Sequence, residues 1–402
     1  MKFKKSMVVV AVASALLAMS GGAMASGFAL IEQSASGLGN AFAGGAASAE
    51  DASTVFFNPA GMSRLEGKQV VVAVHAITPS AKFTGTGGSG TNMGGDAGGT
   101  AFVPNAYFTM GLSDGLKFGL GLNAPFGLQT EYDAGWVGQH QALKSSIQTI
   151  NVNPSLSYQV NDALSVGAGV NYQHISGELS QYGGSILGTS VVKGSDNAWG
   201  FNVGALYQLD AATRFGVSYR STISYKLNGT ITTSLPFANG SASLDVKLPD
   251  IMSFSVFHQM SDSYDVMADV SWTGWSSFKQ VKVLDANGAT ISNTPENWKD
   301  TLRVSAGATH RYSDKMKVRA GVAYDQAPVP DAFRTARIPD NNRFWIALGG
   351  QYKSSDSSVI DFGYAHLFVN DSTISSSNPA PTLQGSYKNK VDILSVQFTQ
   401  NF

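Results

Sequence analysis

The chain has 402 residues, of which 43% are hydrophobic and only 14% are charged, and its formal net charge is −1 at pH 7. A balance so close to neutral argues against a nucleic-acid partner, because such proteins need a basic surface. The chain has no cysteine, which excludes disulfide bonds and a lipid-modified cysteine, so its stability must come from backbone pairing and packing.

The first 25 residues have the organisation of a secretory signal peptide. Lysines within the first five residues form a positive n-region, residues 7–19 form a short apolar core, and Ala23-Met24-Ala25 fits the small-x-small cleavage rule. A transmembrane helix is the alternative, but no stretch of the chain has the ~20 apolar residues that a helical span needs. We therefore predict that residues 1–25 are removed and that the mature chain starts near Ser26 or Gly27.

Residues 26–66 lack strand periodicity and are rich in small residues. A disordered tail is the alternative for this segment, but its apolar side chains, among them Leu38, Phe42 and Phe57, are too numerous for one. A segment of this length ahead of a barrel can instead fold into the lumen. The pattern therefore predicts an N-terminal hatch, or plug, over residues 26–66.

From about Gln69 onward, segments of alternating polarity are joined by short and long connections in turn. The short connections are tight turns, most of them with an aspartate, at Ser113-Asp114-Gly115, Asn161-Asp162, Asp210-Ala211-Ala212, Ser261-Asp262-Ser263, Ser313-Asp314 and residues 354–358. The long connections are rich in Gly, Ser, Asn and Pro, and lie near residues 85–100, 129–142, 182–194, 232–241, 284–297, 326–341 and 370–386. Six short and seven long connections join fourteen strands. Short turns at one mouth and long loops at the other are the design of a bacterial outer-membrane barrel. We therefore predict an all-β, transmembrane antiparallel β-barrel of about 14 strands over residues 67–402.

Alternation within the strands separates two faces of the predicted wall. In residues 164–173, Val166, Val170 and Tyr172 fall on one face, while Asn171 and Gln173 fall on the other. A soluble sandwich would bury the apolar face, whereas a membrane barrel turns it toward lipid and lines its lumen with the polar face. The signal peptide and the rhythm of the turns favour the membrane barrel. Some segments, such as 264–282, exceed the ~9–11 residues that cross a bilayer, so the wall is expected to extend beyond the outer leaflet.

The last strand ends in Phe402 and carries apolar residues on one face, which resembles the recognition signal of the barrel-assembly machinery. An unpaired edge strand would leave its backbone groups exposed, so closure against the first strand is expected. We therefore expect the assembly machinery, through Phe402, and outer-membrane lipid and lipopolysaccharide to be partners of the chain.

Several motifs across the mature chain are similar to those of the FadL-type outer-membrane transporters, which carry long-chain fatty acids and related hydrophobic compounds. These motifs are Gly27-Phe28, Ser36-Gly37-Leu38-Gly39, Asn58-Pro59-Ala60, Trp298-Lys299-Asp300 leading to Arg303, Ala327-Pro328-Val329-Pro330, and residues 338–345 from Ile338 to Trp345. Each motif is weak alone, but their order and spacing are specific. The resemblance implies a monomeric barrel in the bacterial outer membrane, closed by an N-terminal hatch.

The resemblance also implies a route for the substrate. The substrate is captured among the extracellular loops, moves to a site inside the barrel, and leaves through a gap where the third strand is kinked. The third strand, 116–128, contains Asn123-Ala124-Pro125-Phe126-Gly127, and a proline there predicts a break in pairing. The alternative is that the strand simply ends at Asn123 and Pro125 opens the loop. By the same resemblance, Asn58-Pro59-Ala60 of the hatch would lie against this opening.

A substrate with a carboxylate needs a cation where it is buried, because an unpaired charge is costly away from water. We expect Arg303 and Arg343 to bind it, since both lie in the family-like segments, and Phe28 to contact its tail. Other lumen-face cations and acids, namely Arg319, Lys117, Lys317, Asp265, Asp269, Asp325 and Asp361, are expected to form ion pairs that stiffen the barrel.

Other functions are weaker interpretations of this sequence. The six histidines are scattered, and no Ser/His or metal-spaced cluster indicates an enzyme, a cofactor or a metal site. A diffusive porin for polar solutes would need an open lumen without a plug, so residues 27–66 count against it. In an adhesin or structural barrel the loops would bind a host or phage, and the lumen would be irrelevant. Monoaromatic hydrocarbons remain the alternative substrate class, because the resembled family handles both classes.

Overall fold

The computed structural model describes residues 26–402, and the predicted signal peptide lies outside this range. Alternating polarity and β-branched or aromatic residues build twenty strands. They are β1 Lys68–Gly87, β2 Ala101–Ser113, β3 Leu116–Asn123, β4 Gly127–Glu131, β5 Lys144–Gln159, β6 Leu164–Tyr182, β7 Thr189–Gln208, β8 Thr213–Arg220, β9 Ile223–Thr232, β10 Gly240–Leu248, β11 Ile251–Gln259, β12 Tyr264–Thr273, β13 Gln280–Asp285, β14 Thr290–Pro295, β15 Thr301–Ser313, β16 Met316–Asp325, β17 Arg343–Ser355, β18 Ser358–Val369, β19 Ser372–Ser376 and β20 Leu383–Asn401.

The strands join into a closed antiparallel wall. Six pairs of consecutive strands (β3–β4, β8–β9, β10–β11, β12–β13, β14–β15 and β18–β19) are each one wall strand with an interruption, which leaves fourteen wall strands. β20 pairs with β1 from Gln69↔Asn401 to Gly87↔Leu383 and so closes the ring. The prediction of a fourteen-stranded antiparallel barrel is confirmed.

The two faces of the wall follow the predicted alternation in its lower part, near the short turns. On β6, Val170 and Tyr172 are exposed on the outside, whereas Asn171 and Gln173 are buried on the inside. Lipid accepts only apolar side chains, so the outside there must be apolar.

Toward the long loops the alternation reverses. On β9, Tyr225 and Leu227 are buried on the inside, and Ser224 and Lys226 are exposed on the outside. Outward polar residues require water rather than hydrocarbon, so this part of the wall lies beyond the outer leaflet and encloses an apolar interior.

The ninth wall strand is not continuous, although the sequence suggested an unbroken strand over 264–282. β12 ends at Thr273, a short 3₁₀ turn covers Trp275–Ser277, and β13 begins at Gln280. The interruption carries the Trp275 side chain inward, where it is fully buried.

Residues 26–66, here called the N-terminal segment, lie inside the wall. They form single-turn helices at Ala35–Leu38, Gly45–Ser48 and Thr54–Phe57, followed by a 3₁₀ helix at Pro59–Arg64. Outside this segment the short helices of residues 67–402 are Gly184–Leu187, Pro236–Ala238, Trp275–Ser277 and Asp331–Phe333. None of the helices in residues 26–402 is long and apolar enough to cross a membrane.

The segment is held close to the wall because wall glycines leave room for its backbone. A Cβ atom on Gly349 would lie 2.6 Å from the Cα atom of Gly39, and one on Gly321 would lie 2.2 Å from the carbonyl carbon of Asn40. The glycines of these strands therefore permit a contact that a larger residue would prevent.

Candidate functional site

The third wall strand is interrupted at residues 124–126. β3 pairs with β2 only from Ser113↔Leu116 to Ala106↔Leu122, and its continuation β4 pairs with β5 instead. Proline at 125 has no N–H to continue the ladder. The part of β2 from Ala101 to Asn105 therefore has β1 as its strand partner on one side, and its other side faces the interruption.

The N-terminal segment fills this interruption from the lumen. Leu30 donates its N–H to the Pro125 carbonyl (2.8 Å), and Gly127 donates its N–H to the Phe28 carbonyl (2.9 Å). The Leu30 side chain is buried in the same apolar cluster as Ala101 and Val103 of the wall. Residues 28–30 thus act as a short extra strand across the break.

The motif Asn58-Pro59-Ala60 does not lie against this break, so that expectation was wrong. The Asn58 amide donates to the carbonyls of Ala46 (2.7 Å) and Ala205 (2.9 Å). Its neighbour Ala60 accepts from Ser157 on β5 (3.1 Å). The physical reason is space, because Gly167 on β6 and Gly204 on β7 leave the gap that the motif occupies.

An apolar cavity lies inside the wall next to residues 29–31, and we call it the inner cavity. Its volume is about 110 Å³, and it is lined mainly by apolar groups, as small-molecule sites usually are. The lining includes Ala29, Leu30, Ile31, Phe56, Phe57, Pro59, Arg220, Ile251, Trp275, Arg303, Asp325 and Trp345. A molecule in this cavity would touch the inner side of the residues that fill the wall break.

Arg220 is a buried cation on the wall of the inner cavity. Its guanidinium donates to the Asn171 side chain and to the Phe56 carbonyl (3.1 Å), and it lies 4.3 Å from the centre of the Phe56 ring. All these partners are neutral. Within residues 26–402 no carboxylate lies within 4 Å of this guanidinium, so its charge has no ion-pair partner there.

The two arginines expected from the sequence differ in their surroundings. Arg303 lines the inner cavity and donates to the Ala41 carbonyl (2.6 Å). Its register partner on the adjacent strand β16 is Asp325. Arg343 forms an ion pair with Asp340 and lines a separate small crevice. The structure therefore gives no support to Arg343 as a substrate-binding residue, because its charge is already balanced outside the inner cavity.

Phe28 lies between the inner cavity and a second cavity nearer the long loops, which we call the outer cavity. Its ring is fully buried, and its centre is 4.7 Å from that of Trp275 and 5.5 Å from that of Phe278. Trp275 lines the inner cavity, whereas Phe278 lines the outer one. The Phe28 ring is thus part of the partition between the two.

The outer cavity has a volume of about 60 Å³ and is almost wholly apolar. Its lining includes Leu128, Ile147, Ile175, Leu179, Val192, Leu227, Leu244, Val246, Phe278, Val281 and Ile338, together with the ionisable residues Lys193, Glu296 and Arg337. Burial raises the pKa of Glu296 to about 8, although it accepts a hydrogen bond from the Trp298 indole (2.9 Å). Burial likewise lowers the pKa of Arg337 to about 10. Burial therefore disfavours the charged forms of both side chains.

An ion-pair network fastens the N-terminal segment to the wall near the short turns. Arg319 donates to Asp361 on the wall (2.7 Å) and to Glu50 of the segment (2.7 Å), and Lys317 also reaches Glu50 (2.7 Å). Burial by itself would raise the pKa of Glu50, but the charges of Arg319 and Lys317 outweigh it and hold that pKa below its usual value. These residues are structural ties, as the sequence suggested for Arg319, Lys317 and Asp361.

Sequence reasoning missed Arg220, Glu50, Glu296 and Arg337. The alternation along β8 puts Arg220 on the lumen side, so its position was predictable. The absence of an acid beside it was not, since that depends on the neighbouring strands and the N-terminal segment. Within residues 26–402 no group of three or more His, Asp or Glu side chains is arranged to hold a metal ion.

Comparisons with known proteins match nearly the whole chain. The family model described as "Outer membrane protein transport protein (OMPP1/FadL/TodX)" covers residues 16–402. The long-chain fatty acid transport protein of Escherichia coli (strain K12) is 29% identical over 413 residues, covering 91% of this chain and 92% of the relative. Outer membrane protein P1 of Haemophilus influenzae is 32% identical over 418 residues, covering 91% and 90%.

Solved structures agree with these matches. A Pseudomonas aeruginosa FadL homologue has a TM-score of 0.87 at 28% identity and covers 93% of this chain and 99% of that one. The CymD monoaromatic hydrocarbon channel, at 21% identity, has a TM-score of 0.69 with coverage of 93% and 99%. At that identity the second likeness shows a shared fold.

Proposed function

We propose that this chain, which belongs to the OMPP1/FadL/TodX family of outer membrane transport proteins, takes up long-chain fatty acids. Its membership makes it an outer-membrane transporter of hydrophobic compounds rather than an enzyme. Family membership does not distinguish an acid from a neutral hydrocarbon as the substrate, and we propose the acid. The name of the Escherichia coli relative, a long-chain fatty acid transport protein, is in agreement with it.

The observation that favours an acid is the unpaired charge of Arg220 on the apolar inner cavity. A buried cation without a carboxylate is costly, and a ligand that brings its own carboxylate removes that cost. The hydrocarbon tail would meanwhile lie against Phe57, Ile251 and Trp275. Among residues 26–402, Arg303 also forms no ion pair within 4 Å, but it is a weaker candidate for the head group because it faces three acids, Asp325, Asp269 and Glu32.

The two cavities and the wall break suggest a path. The substrate enters the outer cavity among the long loops, passes Phe28 and occupies the inner cavity. It then leaves sideways between β2 and β4, once residues 28–30 have moved from the break. This lateral exit at Asn123-Ala124-Pro125-Phe126-Gly127 gives a hydrophobic compound an apolar way into the membrane.

The C-terminal residue Phe402 is the proposed contact with the barrel-assembly machinery. Phe402 follows the last strand, is largely exposed, and donates its N–H to the Lys68 carbonyl (2.9 Å). An exposed terminal aromatic residue is accessible to the barrel-assembly machinery. A closed ring of strands has no free edge, so a monomer is sufficient.

The test is selective uptake by cells that lack their own transporter. We expect expression of the chain to raise the initial uptake rate of labelled oleate, and Arg220→Met to lower that rate. A charged hydrogen bond of about 1.5–3 kcal/mol corresponds to a loss of about 10- to 150-fold. Uptake of hexadecanol, which has a long chain but no charge, should be much less affected.

A matched control is Arg64→Met, since Arg64 donates to Gln208 at the exposed short-turn mouth. Arg64→Met should leave oleate uptake unchanged, and Arg220→Lys should restore part of it. Equal losses of oleate and hexadecanol in Arg220→Met would contradict the head-group assignment. Uptake of toluene without uptake of oleate would assign the chain to monoaromatic hydrocarbons instead.

A further inference from the structure

The eighth and ninth wall strands separate from each other on the side of the long loops. β10 pairs with β13 over Ala242–Leu244 only. The two wall strands are joined again lower down, where the Gly274 N–H donates to the Asp250 carbonyl (2.9 Å). Between these contacts β10 keeps β9 as its strand partner on one side. Its other side pairs with no strand of residues 26–402, so the wall has a second gap there.

The bend in the ninth wall strand causes this gap. The turn at Trp275–Ser277 carries the chain inward, away from β10. The residues that follow it bond to the opposite side, because Phe278 accepts from the Trp298 N–H (3.2 Å) and Lys279 accepts from the Glu296 N–H (2.9 Å). The backbone of residues 278–279 is therefore tied on the β14 side and leaves the edge of β10 open.

An open cleft with a volume of about 490 Å³ occupies the gap, and we call it the side cleft. Its rim carries three exposed lysines, Lys226, Lys247 and Lys279, and its floor includes the buried side chains of Val246 and Phe278. Val246 and Phe278 also line the outer cavity. A single layer of apolar side chains therefore separates the side cleft from the outer cavity.

Positive charge is in excess around the side cleft. Its lining holds the three lysines but only one carboxylate, that of Asp245, which is the register partner of Lys226. Lys193, elsewhere on the wall, pairs with Glu178 (3.1 Å), whereas among residues 26–402 none of the three rim lysines has a carboxylate within 4 Å. A cleft lined by one sign of charge concentrates ions of the opposite sign, so the rim favours an anion.

The side cleft lies just above the lipid-facing band. Below it, Met252 on β11 is 49% exposed, and its register partners on the two neighbouring strands are Tyr219 and Trp272. Aromatic residues gather where hydrocarbon meets water. A molecule with a charged head and an apolar tail lies across that same boundary, so it can present its head to the lysines.

We propose that the side cleft is an entrance to the outer cavity, beneath the long loops, for an amphipathic anion. The ammonium groups of the rim hold the carboxylate, while the hydrocarbon tail displaces Phe278 and passes between β10 and β13. Phe278 can move because its backbone is tied to only one neighbouring strand. This inference rests on the proposed uptake of a long-chain acid, and it adds the route by which the acid enters.

The entrance is tested by blocking it in the folded protein. The chain has no cysteine, so Ser277→Cys places a single thiol in the lining of the side cleft. Cells that lack their own transporter and express this variant are treated with a polyethylene glycol maleimide, and the initial rate of oleate uptake is measured. We expect the untreated variant to take up oleate at the wild-type rate and the treated one to lose most of that uptake. Asn287→Cys, at the exposed turn after β13, should show no loss after the same treatment.

The rim lysines give an independent result. Lys247→Gln combined with Lys279→Gln should lower the rate of oleate uptake at low oleate concentration about tenfold, because the attraction of the anion is lost. Hexadecanol uptake should change little, since its head group carries no charge. Lys353→Gln, at an exposed turn near the opposite mouth, is the matched control and should leave both rates unchanged.

Three outcomes are informative against the proposal. Undiminished oleate uptake in treated Ser277→Cys, together with an unchanged rate in the double lysine variant, would overturn the side entrance but leave the proposed function intact. Absence of oleate uptake in the untreated wild type would overturn the proposed function itself. If vesicles with lipopolysaccharide, but not vesicles of phosphatidylcholine, protect the Ser277→Cys thiol of the purified protein while uptake is unaffected by the block, the side cleft binds a phosphorylated lipid head group instead.

Discussion

Arg319→Met would remove the charge that ties the N-terminal segment to the wall. The Arg319 side chain is fully buried, as is that of Asp361, whereas Glu50 is 31% exposed. Loss of the guanidinium would leave Asp361 buried without its partner. Removing one member of a buried ion pair costs about 3–5 kcal/mol. We take the lower value, about 3 kcal/mol, because water can still reach Glu50.

This destabilisation should be local. The wall is held by its own backbone pairing, so we expect the N-terminal segment to open more often while the barrel stays closed. At 1.4 kcal/mol per factor of ten, 3 kcal/mol raises the open population about 100-fold. Hydrogen exchange measured by mass spectrometry on peptides covering residues 35–57 should accelerate by that factor, whereas peptides from β6 and β7 should not change.

Lys353→Met is the matched control for this experiment. Lys353 pairs with Asp356 across a short turn, where the two side chains are 42% and 104% exposed, and such pairs contribute at most about 1 kcal/mol. The reasoning is refuted if residues 35–57 of Arg319→Met exchange within about threefold of wild type, which corresponds to less than ~0.7 kcal/mol.

Two further predictions concern the N-terminal segment. Burial raises the pKa of Glu32 to about 7, so its neutral form is favoured in the folded state. Protection of the segment against hydrogen exchange should therefore be greatest below pH ~4.3 and should fall as the pH rises toward 7. In Glu32→Gln this pH dependence should disappear. The measurement is hydrogen exchange from pH 5 to 8, corrected for intrinsic rates, and the same profile in both proteins would contradict the prediction. Gly349→Ala should destabilise the segment by about 1–3 kcal/mol because its Cβ atom would lie 2.6 Å from Gly39. Gly350→Ala, whose Cβ atom would make an ordinary 3.6 Å contact, should be silent in the same exchange assay, and equal effects of the two would reject the close-contact argument.

The strands of the wall could be predicted from the sequence because they depend on residues that are close together in the chain. The short turns and the period-two alternation of residues such as Val170 and Asn171 depend only on neighbouring positions. Closure followed from the last strand, since an unpaired edge is unfavourable. Pro125 marked the interruption in the third wall strand, because a residue without an N–H cannot continue a ladder.

The contents of the lumen required the tertiary structure. The sequence selected Arg303 and Arg343 by their family-like surroundings, but Asp340 balances Arg343 and Asp325 lies beside Arg303. Asn58-Pro59-Ala60 was expected at the wall break, but it lies instead against β6 and β7, where glycines leave space for it. Residues 28–30 occupy the break instead.

The sequence by itself thus determined the glycine-rich, fourteen-stranded wall and the presence of a segment to fill it. Only the tertiary structure decided which charges are paired, which remain free, and what covers the opening. The physical reason is that turns and alternation are properties of adjacent residues. The charge environment of Arg220, by contrast, is set by strands and an N-terminal segment that are distant along the chain and meet only in the folded barrel.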